Sequence, residues 1–493
     1  MTIRTRPARP SVRPTMIAVA TGAALAALAG GNAWAYDPLR PLGQVTGLTE
    51  LQQRTGDAVQ AVCGGFINGG VDEQRDDADQ QRILFDKCGE MVNTANRLRG
   101  EGGTAKDLGI GAEQLGAALQ NVSTEEIAAA GSLVTESSSQ QGSAVARRLA
   151  SVLSQSSSLQ VSSASLLGDT RLVALQPASI GVPSGGAAAD DAGIVNRLGV
   201  YVNALGAFAE KTTTDGEDGF EANSAGLSVG VDYLFSDNFL AGINLGFVNT
   251  TTDFTVTSDV SGGDMDSSQF NGSAYGLWFG DAGYVDLVAG FGTGSFDLQR
   301  SIVIGSGADA AEPDTGNPND GADDVAFGET DSSSFRFGVG GGLEINSGPL
   351  MFAPYARLSY LQVELDGYEE TGGSALALRV EDQSIDSLTA GFGVRLVGTY
   401  SGSRAVLSPQ LSLEMVQELM DDSRQIVSTY LHDPRSLPLV IVTDEPDRTY
   451  YSVGFGLAAV FTNGVQVFGE ARSLMDLDDL NEFALSSGVR FEF

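Results

Sequence analysis

The chain carries two cysteines, Cys63 and Cys88, and a single histidine, His432, so its thiolate and imidazole chemistry is confined to three residues. A zinc site or a Cys-His nucleophile would need further partners, and His432 stands far from both cysteines in sequence. An even pair of cysteines within one expected helical hairpin of an exported chain instead predicts a Cys63–Cys88 disulfide. Closing a loop of that length contributes about 3 kcal/mol by chain entropy. Residues 36–170 contain no histidine, which excludes a Ser-His-Asp or Cys-His arrangement within them. They also lack a Gly-x-Ser-x-Gly elbow, and Gly168-Asp169-Thr170 is only superficially like the start of a Gly-Asp-Ser esterase. No catalytic residue, cofactor or metal-ligand set is therefore expected, and the chain reads as a non-enzyme. Asp309, Glu312, Asp314, Asp320, Asp323 and Asp324 form an acidic run whose oxygens suit calcium. Without EF-hand spacing, a solvated external loop is the preferred reading of that run, as it is for His432.

The elements that would position these residues begin with a leader. Arg4, Arg6, Arg9 and Arg13 precede the apolar run from Met16 to Ala29, and Ala33-Trp34-Ala35 follows. This is the layout of a secretory signal peptide over residues 1–35, cleaved between Ala35 and Tyr36. With 63 acidic against 28 basic residues and a net charge of −35, a nucleic-acid partner is excluded, because phosphate binding requires concentrated Lys and Arg. No later stretch is long and apolar enough for a spanning helix, so membrane insertion of the mature chain must use strands. Residues 36–170 carry helical periodicity in Leu48, Leu51, Val59, Val62 and Phe66, and again in Ile83, Leu84, Cys88, Met91, Val92, Ala95 and Leu98. Gly64 to Gly70 reads as the turn of an antiparallel hairpin. Further amphipathic stretches run from Leu108 to Leu119 and from Val145 to Leu159, and Ser123 with Glu126 makes a capping-box pattern before Ile127. An all-α domain over 36–170 follows, although partial order of its Ser- and Gln-rich second half stays open. Pro177, Pro183, Gly185 and Gly186 then mark a linker over 171–197.

From Leu198 onward the period becomes two. Twelve strands are expected, at 198–210, 223–235, 239–252, 267–279, 283–298, 332–345, 350–364, 385–398, 404–419, 448–461, 465–473 and 481–493. Each is long enough to cross a bilayer when tilted. Leu227, Val229, Val231 and Tyr233 alternate with Gly226, Ser228, Gly230 and Asp232, and Leu388, Ala390, Phe392, Val394 and Leu396 with Thr389, Gly391, Gly393 and Arg395. One face is apolar and the other is small, polar or charged, which suits a lipid-facing wall around a polar lumen. Asp232, Arg336, Glu344, Arg395 and Glu414 then point inward, either as a network that grips a linker or as charges that hydrate a pore. Tyr355-Ala356-Arg357-Leu358 and Ala274-Tyr275-Gly276-Leu277-Trp278 read in either facing. Short turns such as Ser236-Asp237-Asn238 and Ser401-Gly402-Ser403 interleave with long connections at about 211–222, 253–266, 299–331, 365–384 and 420–447, as short periplasmic turns and long external loops would.

Gly199-Val200-Tyr201-Val202, the stretch Ala225 to Asn238, and Gly488-Val489-Arg490-Phe491-Glu492-Phe493 together resemble the C-terminal β-domain of autotransporters, the type V secretion proteins of Gram-negative bacteria. The resemblance covers Gly199 to Phe493. It implies a passenger at the cell surface followed by a twelve-stranded antiparallel transmembrane β-barrel over 198–493 in the outer membrane, and with the helical periodicity of 36–170 this makes a mixed protein with an all-α passenger. It also implies passage through the Sec translocon and a barrel-assembly signal at Leu485, Val489, Phe491 and Phe493, read by the barrel-assembly machinery. The lipid of the outer membrane is the other partner, and a monomer is expected. The passenger departs from the long repetitive β-helix of many members, being short and helical. Export and display of that non-enzymatic passenger is the leading function. The alternative is a diffusion channel whose helical domain is periplasmic or plugs the pore.

Overall fold

A computed structural model describes residues 42–101, 106–131, 197–214, 216–256, 262–280, 282–305, 321–420, 423–462 and 464–492. The expected cleavage site at Ala35 and Tyr36, the stretch Val145 to Leu159, the linker apart from Arg197, the carboxylates Asp309, Glu312, Asp314 and Asp320, and Phe493 lie outside these described residues.

Helix α1 spans Glu50–Gly69, α2 Ala78–Leu98 and α3 Ala112–Asn121. Thr49 starts α1 with a reciprocal capping box: its hydroxyl accepts the Gln52 amide, and the Gln52 side chain accepts the Thr49 amide. The apolar stripe Val59, Val62 and Phe66 is buried against Leu84, Cys88, Met91 and Ala95 of α2 and Leu115 and Leu119 of α3, while Leu51 joins the cluster at the barrel rim. Cys63 and Cys88 form the expected disulfide, with their Cα atoms 5.9 Å apart. The turn, however, is not where glycine content puts it. Gly64 to Gly69 continue α1, and the helix ends only at Gly70, whose φ of 71° lies in the left-handed region. The reason is tertiary. Phe66 is buried, and a side chain at Gly65 would collide with Arg435, its Cβ falling 2.5 Å from Nε.

A second local difference follows α3. Ser123 does not cap the next helical run, because its hydroxyl donates to the carbonyl of Gln120 and closes the end of α3 instead. A helical run starts at Glu126, and at its head the amide of Ile127 donates to Thr124 and that of Ala128 to Glu125.

The barrel strands are β1 Leu198–Lys211, β2 Phe220–Ser236, β3 Phe239–Phe254, β4 Gly263–Phe279, β5 Gly283–Ile304, β6 Ala322–Leu343, β7 Leu350–Leu365, β8 Gln383–Gly398, β9 Ala405–Glu418, β10 Thr449–Phe461, β11 Gln466–Met475 and β12 Leu480–Glu492. Each pairs antiparallel with its neighbour in sequence, and β1 pairs with β12 from Gly199 opposite Glu492 to Lys211 opposite Leu480. The ring is closed, so it has no unpaired edge. Alternation sorts the two faces. Leu227, Phe392 and Phe455 are 60%, 56% and 61% exposed on the outer wall, whereas Ser228, Asp232 and Asn244 are 8% or less on the inner one. An outer wall this apolar is stable in lipid, not in water. In β4, Tyr275 and Leu277 face inward and Trp278 outward; in β7, Tyr355 and Arg357 face inward and Leu358 outward. Tyr233, Phe235, Phe239 and Trp278 form a run of ring contacts at the short-turn end, 5.0 to 6.0 Å between successive centroids, as an interfacial aromatic girdle does.

Much of the glycine has a packing cause. Tyr201 lies over Gly230, Tyr275 over Gly242, Tyr284 over Gly342, Tyr355 over Gly393 and Phe468 over Gly488, each pair directly opposite in the register. An added Cβ at Gly230 would stand 2.1 Å from the Tyr201 ring. The inward rings thus use the space their cross-strand partners leave empty.

At the long-loop end the wall rises beyond the expected limits. β5 continues through Arg300, Ile302 and Ile304, and β6 begins at Ala322, placing Asp323 and Asp324 on a strand and not in a loop. The connections after β7 and β9 also fold. Pro438–Val442, Gln425–Tyr430, Leu378–Val380 and Tyr368–Glu369 form a four-stranded antiparallel sheet that carries helix α1.

Candidate functional site

Two polar assemblies occupy the barrel. The first lies in the short-turn half of the lumen. Asp232 on β2 accepts a hydrogen bond from Tyr275 at 3.2 Å and pairs with Arg490 on β12 at 3.5 Å. Across the lumen, Glu414 on β9 pairs with Arg357 at 2.6 Å and accepts a hydrogen bond from Tyr355 at 2.8 Å, and Arg395 stands 5.4 Å over the Tyr355 ring. Glu414 fits because Gly391, its diagonal neighbour on β8, has no side chain, and a Cβ there would meet its Oε1 at 2.1 Å. Of the expected inward charges, Asp232 and Glu414 are thus centres of separate clusters. Arg336 faces inward on β6, Arg395 joins the Glu414 cluster, and Glu344 lies just past the end of β6. Arg357 and Arg490 complete the pairs. Arg490 was legible as the inward partner of Val489 and Phe491, whereas Arg357 sat in the strand of ambiguous facing.

The second assembly closes the opposite mouth. Arg300, at the top of β5, clasps Glu370 with two bonds, at 2.9 and 2.5 Å. Its remaining nitrogen donates to the Asn121 carbonyl at 2.8 Å, at the end of α3. Tyr430 donates to the Val122 carbonyl at 3.3 Å, Asn121 to Val303 at 2.9 Å, and Gln120 to Asp218 on the β1–β2 connection. Residues 127–130 then pack among Phe220, Phe254, Phe296, Leu298 and Val363 on the inner rim. The helices are therefore seated on the long-loop end of their own barrel through backbone carbonyls that strand and loop side chains satisfy.

Outlying ties hold the helix tips. Arg435 donates to the Gly70 carbonyl at 3.2 Å and lies 4.3 Å over the Phe66 ring. His432, the lone imidazole, sits 2.9 Å from Asp77 at the start of α2. Burial pushes the Asp77 carboxyl up, but bonds from His432, Gln81 and Arg75 outweigh it and hold the group well below the usual carboxylate range. His432 is thus a structural contact between loop and helix. Among the described residues no group of three or more His, Cys, Asp or Glu converges as a metal site.

A closed ring of twelve antiparallel strands with a hydrogen-bonded polar interior and an apolar outer belt defines an outer-membrane β-barrel. The chain belongs to the autotransporter family, whose Autotransporter beta-domain matches residues 200–472. It resides in the outer membrane of a Gram-negative bacterium. Outer membrane protein B of Rickettsia prowazekii (strain Madrid E) is 25% identical over 268 residues, 52% of this chain and 15% of that protein. Esterase EstA of Pseudomonas aeruginosa is 26% identical over 238 residues, 46% of this chain and 33% of that protein. The chain thus spans well under half the length of either relative. Among solved structures, the translocator domain of autotransporter NalP from Neisseria meningitidis is 17% identical with a TM-score of 0.46, covering 60% of this chain and 88% of that one.

Proposed function

We propose that the barrel exports and then displays the helical segment at the cell surface, and that this segment works by its surface and not by catalysis. On this reading residues 1–35 are removed after Ala35, residues 36–170 are the passenger, 171–197 the linker and 198–493 the translocator, assembled through the signal at Leu485, Val489, Phe491 and Phe493. One observation carries the reading. Gly131 lies beside Arg424 and Ile385 at the long-loop end, whereas Arg197 lies within 3.4 Å of Phe235 at the short-turn end. A chain exported through its own barrel would have its two flanks at opposite ends of that barrel, and the positions of Gly131 and Arg197 fit this. Long loops mark the external side in such barrels, which puts the seated helices outside. The absence of histidine from residues 36–170 supports a non-catalytic passenger.

The test is an epitope inserted at the exposed turn around Gln74, probed on intact cells with an antibody that does not cross the outer membrane. Labelling of intact cells is the expected result. Labelling that needs a permeabilised outer membrane would overturn the reading in favour of a diffusion channel with a periplasmic helical domain.

A further inference from the structure

Two consecutive carboxyls, Glu125 and Glu126, enter the barrel mouth at the head of the helical run that starts at Glu126, and both are buried, at 2% and 8% exposure. One oxygen of each, Oε2, has no hydrogen-bond partner. A buried polar group without a partner is costly, and a buried unpaired charge far more so. The groups that face them come from every side of the mouth. Asp218 stands on the β1–β2 connection, Arg300 on β5, Glu370 and Tyr368 on the connection after β7, and Tyr430 and Arg424 on the connection after β9. The nearest cation is already committed, because Arg300 gives two of its bonds to Glu370 and one to the Asn121 carbonyl. Arg424 reaches instead to the Ala128 carbonyl, at 3.4 Å. Glu125, Glu126, Asp218 and the Glu370 carboxylate therefore surround one paired guanidinium, and Glu126, Glu370 and Arg300 stand among Phe254, Leu298 and Ile127.

We infer that Glu125 and Glu126 form a proton-operated latch, which holds residues 124–131 in the barrel mouth while both carboxyls are neutral and lets them leave when one ionises. Burial pushes Glu126 up to about 8; Arg300 opposes the rise, and Asp218 and Glu370 add to it. Burial also raises Glu125, with Glu126 and Asp218 acting in the same direction, and burial pushes Asp218 up to about 6. The sign follows. A carboxyl whose folded-state value is raised stabilises the seated form fully below the ordinary carboxylate range, and that contribution is lost as pH rises through about 8. Ionisation also sets Glu125 and Glu126 against each other and against Glu370, so the seated run becomes the less favourable arrangement. The latch acts on the seated segment in purified protein whichever side of the membrane the mouth faces, so its failure and failure of the surface-display reading are separate results.

The experiment uses the full chain refolded into lipid vesicles, with Ala129→Cys as the only free thiol, since Cys63 and Cys88 are joined. Ala129 is 4% exposed when seated. Maleimide labelling at each pH is divided by the rate for the same chain unfolded in urea at that pH. Electrophoretic heat-modifiability confirms that the barrel persists. The normalised rate should rise about tenfold between pH 7 and pH 9, the change expected for one group titrating near 8. It should stay flat in the double variant Glu125→Gln/Glu126→Gln, and rise as in the parent in Glu113→Gln, an exposed carboxyl of α3. A flat parent, or an unchanged rise in the double variant, overturns the latch. Where the double variant yields no heat-modifiable barrel, Glu126→Gln alone decides, because an unshifted rise in it also overturns the proposal.

Discussion

At the scale of single residues, two charged contacts fasten helices to barrel: Arg300, paired with Glu370, holds the Asn121 carbonyl, and His432 holds Asp77; burial decides which matters. The Arg300 and Glu370 side chains are only 5% and 4% exposed, whereas His432 and Asp77 are 16% and 20% exposed and Asp77 keeps Arg75 as a second partner. Truncating one member of a buried pair leaves the other charge without compensation, at a cost of about 3–5 kcal/mol, whereas a pair in contact with solvent contributes about 1 kcal/mol or less. Arg300→Met should therefore lower sharply the urea concentration at which residues 42–131 lose protease resistance, and His432→Ala should barely move it. The opposite ranking would mean that the mouth is held elsewhere. The two sites also have opposite signs in pH. Asp77, held low by its partners, stabilises above the ordinary carboxylate range and loses that contribution as pH falls. Glu126, held high, loses its contribution as pH rises, so seating is favoured between the two limits.

At the scale of elements, the disulfide sets how firmly α1 and α2 act as one body. Cys63 and Cys88 are separated by 25 residues, a loop whose closure contributes about 3 kcal/mol when estimated from chain entropy. Reduction, or Cys63→Ser with Cys88→Ser, should lower the unfolding free energy of the helical segment by about that amount, read as a lower urea midpoint, while barrel mobility on gels stays unchanged. A barrel that also loosened would show that the helices support the wall. The same elements show what sequence reveals. Period-two alternation exposed all twelve strands, because lipid and lumen impose opposite polarities on adjacent residues. It stopped short at Arg300-Ser301-Ile302-Val303-Ile304, where the inward residues meet helices instead of water and the pattern no longer contrasts polar with apolar. Leu439-Val440-Ile441-Val442 is a strand-forming run that pairs with Gln425–Tyr430 of the same connection, but that hairpin joins Leu378–Val380 of the connection after β7, so the small sheet was not legible. Gly65 and Gly69 misled for a related reason: those glycines answer to Arg435, hundreds of positions away, and not to a local turn. Of the site, Asp232 and Glu414 could be read from inward alternation, but Glu125, Glu126 and Glu370 become significant only once the mouth is assembled.

At the scale of the whole molecule, barrel and helices divide the labour of stability unequally. The twelve pairings that close the ring all lie between Leu198 and Glu492, so the wall needs no backbone bond from the helices. The rim is different. Phe220, Phe254, Phe296, Leu298 and Val363 share one buried cluster with Leu51 and Ile127, while Ile302, Ile304, Leu376 and Tyr430 share another with α1 to α3. Removing residues 42–131 would expose both clusters to water and leave Arg300 without the Asn121 carbonyl, yet it would leave every strand pairing intact. A chain lacking those residues should therefore still assemble into a heat-modifiable barrel, because ring closure and the lipid-facing wall are unchanged. Its long-loop sheet should become sensitive to trypsin at Arg379 and Arg424, which the intact chain holds at strand and helix contacts. Mass spectrometry of the fragments would read both halves of the prediction at once. An intact but trypsin-resistant rim would mean that the loops carry their own core, and a missing barrel would mean that the helices act during assembly as well as after it.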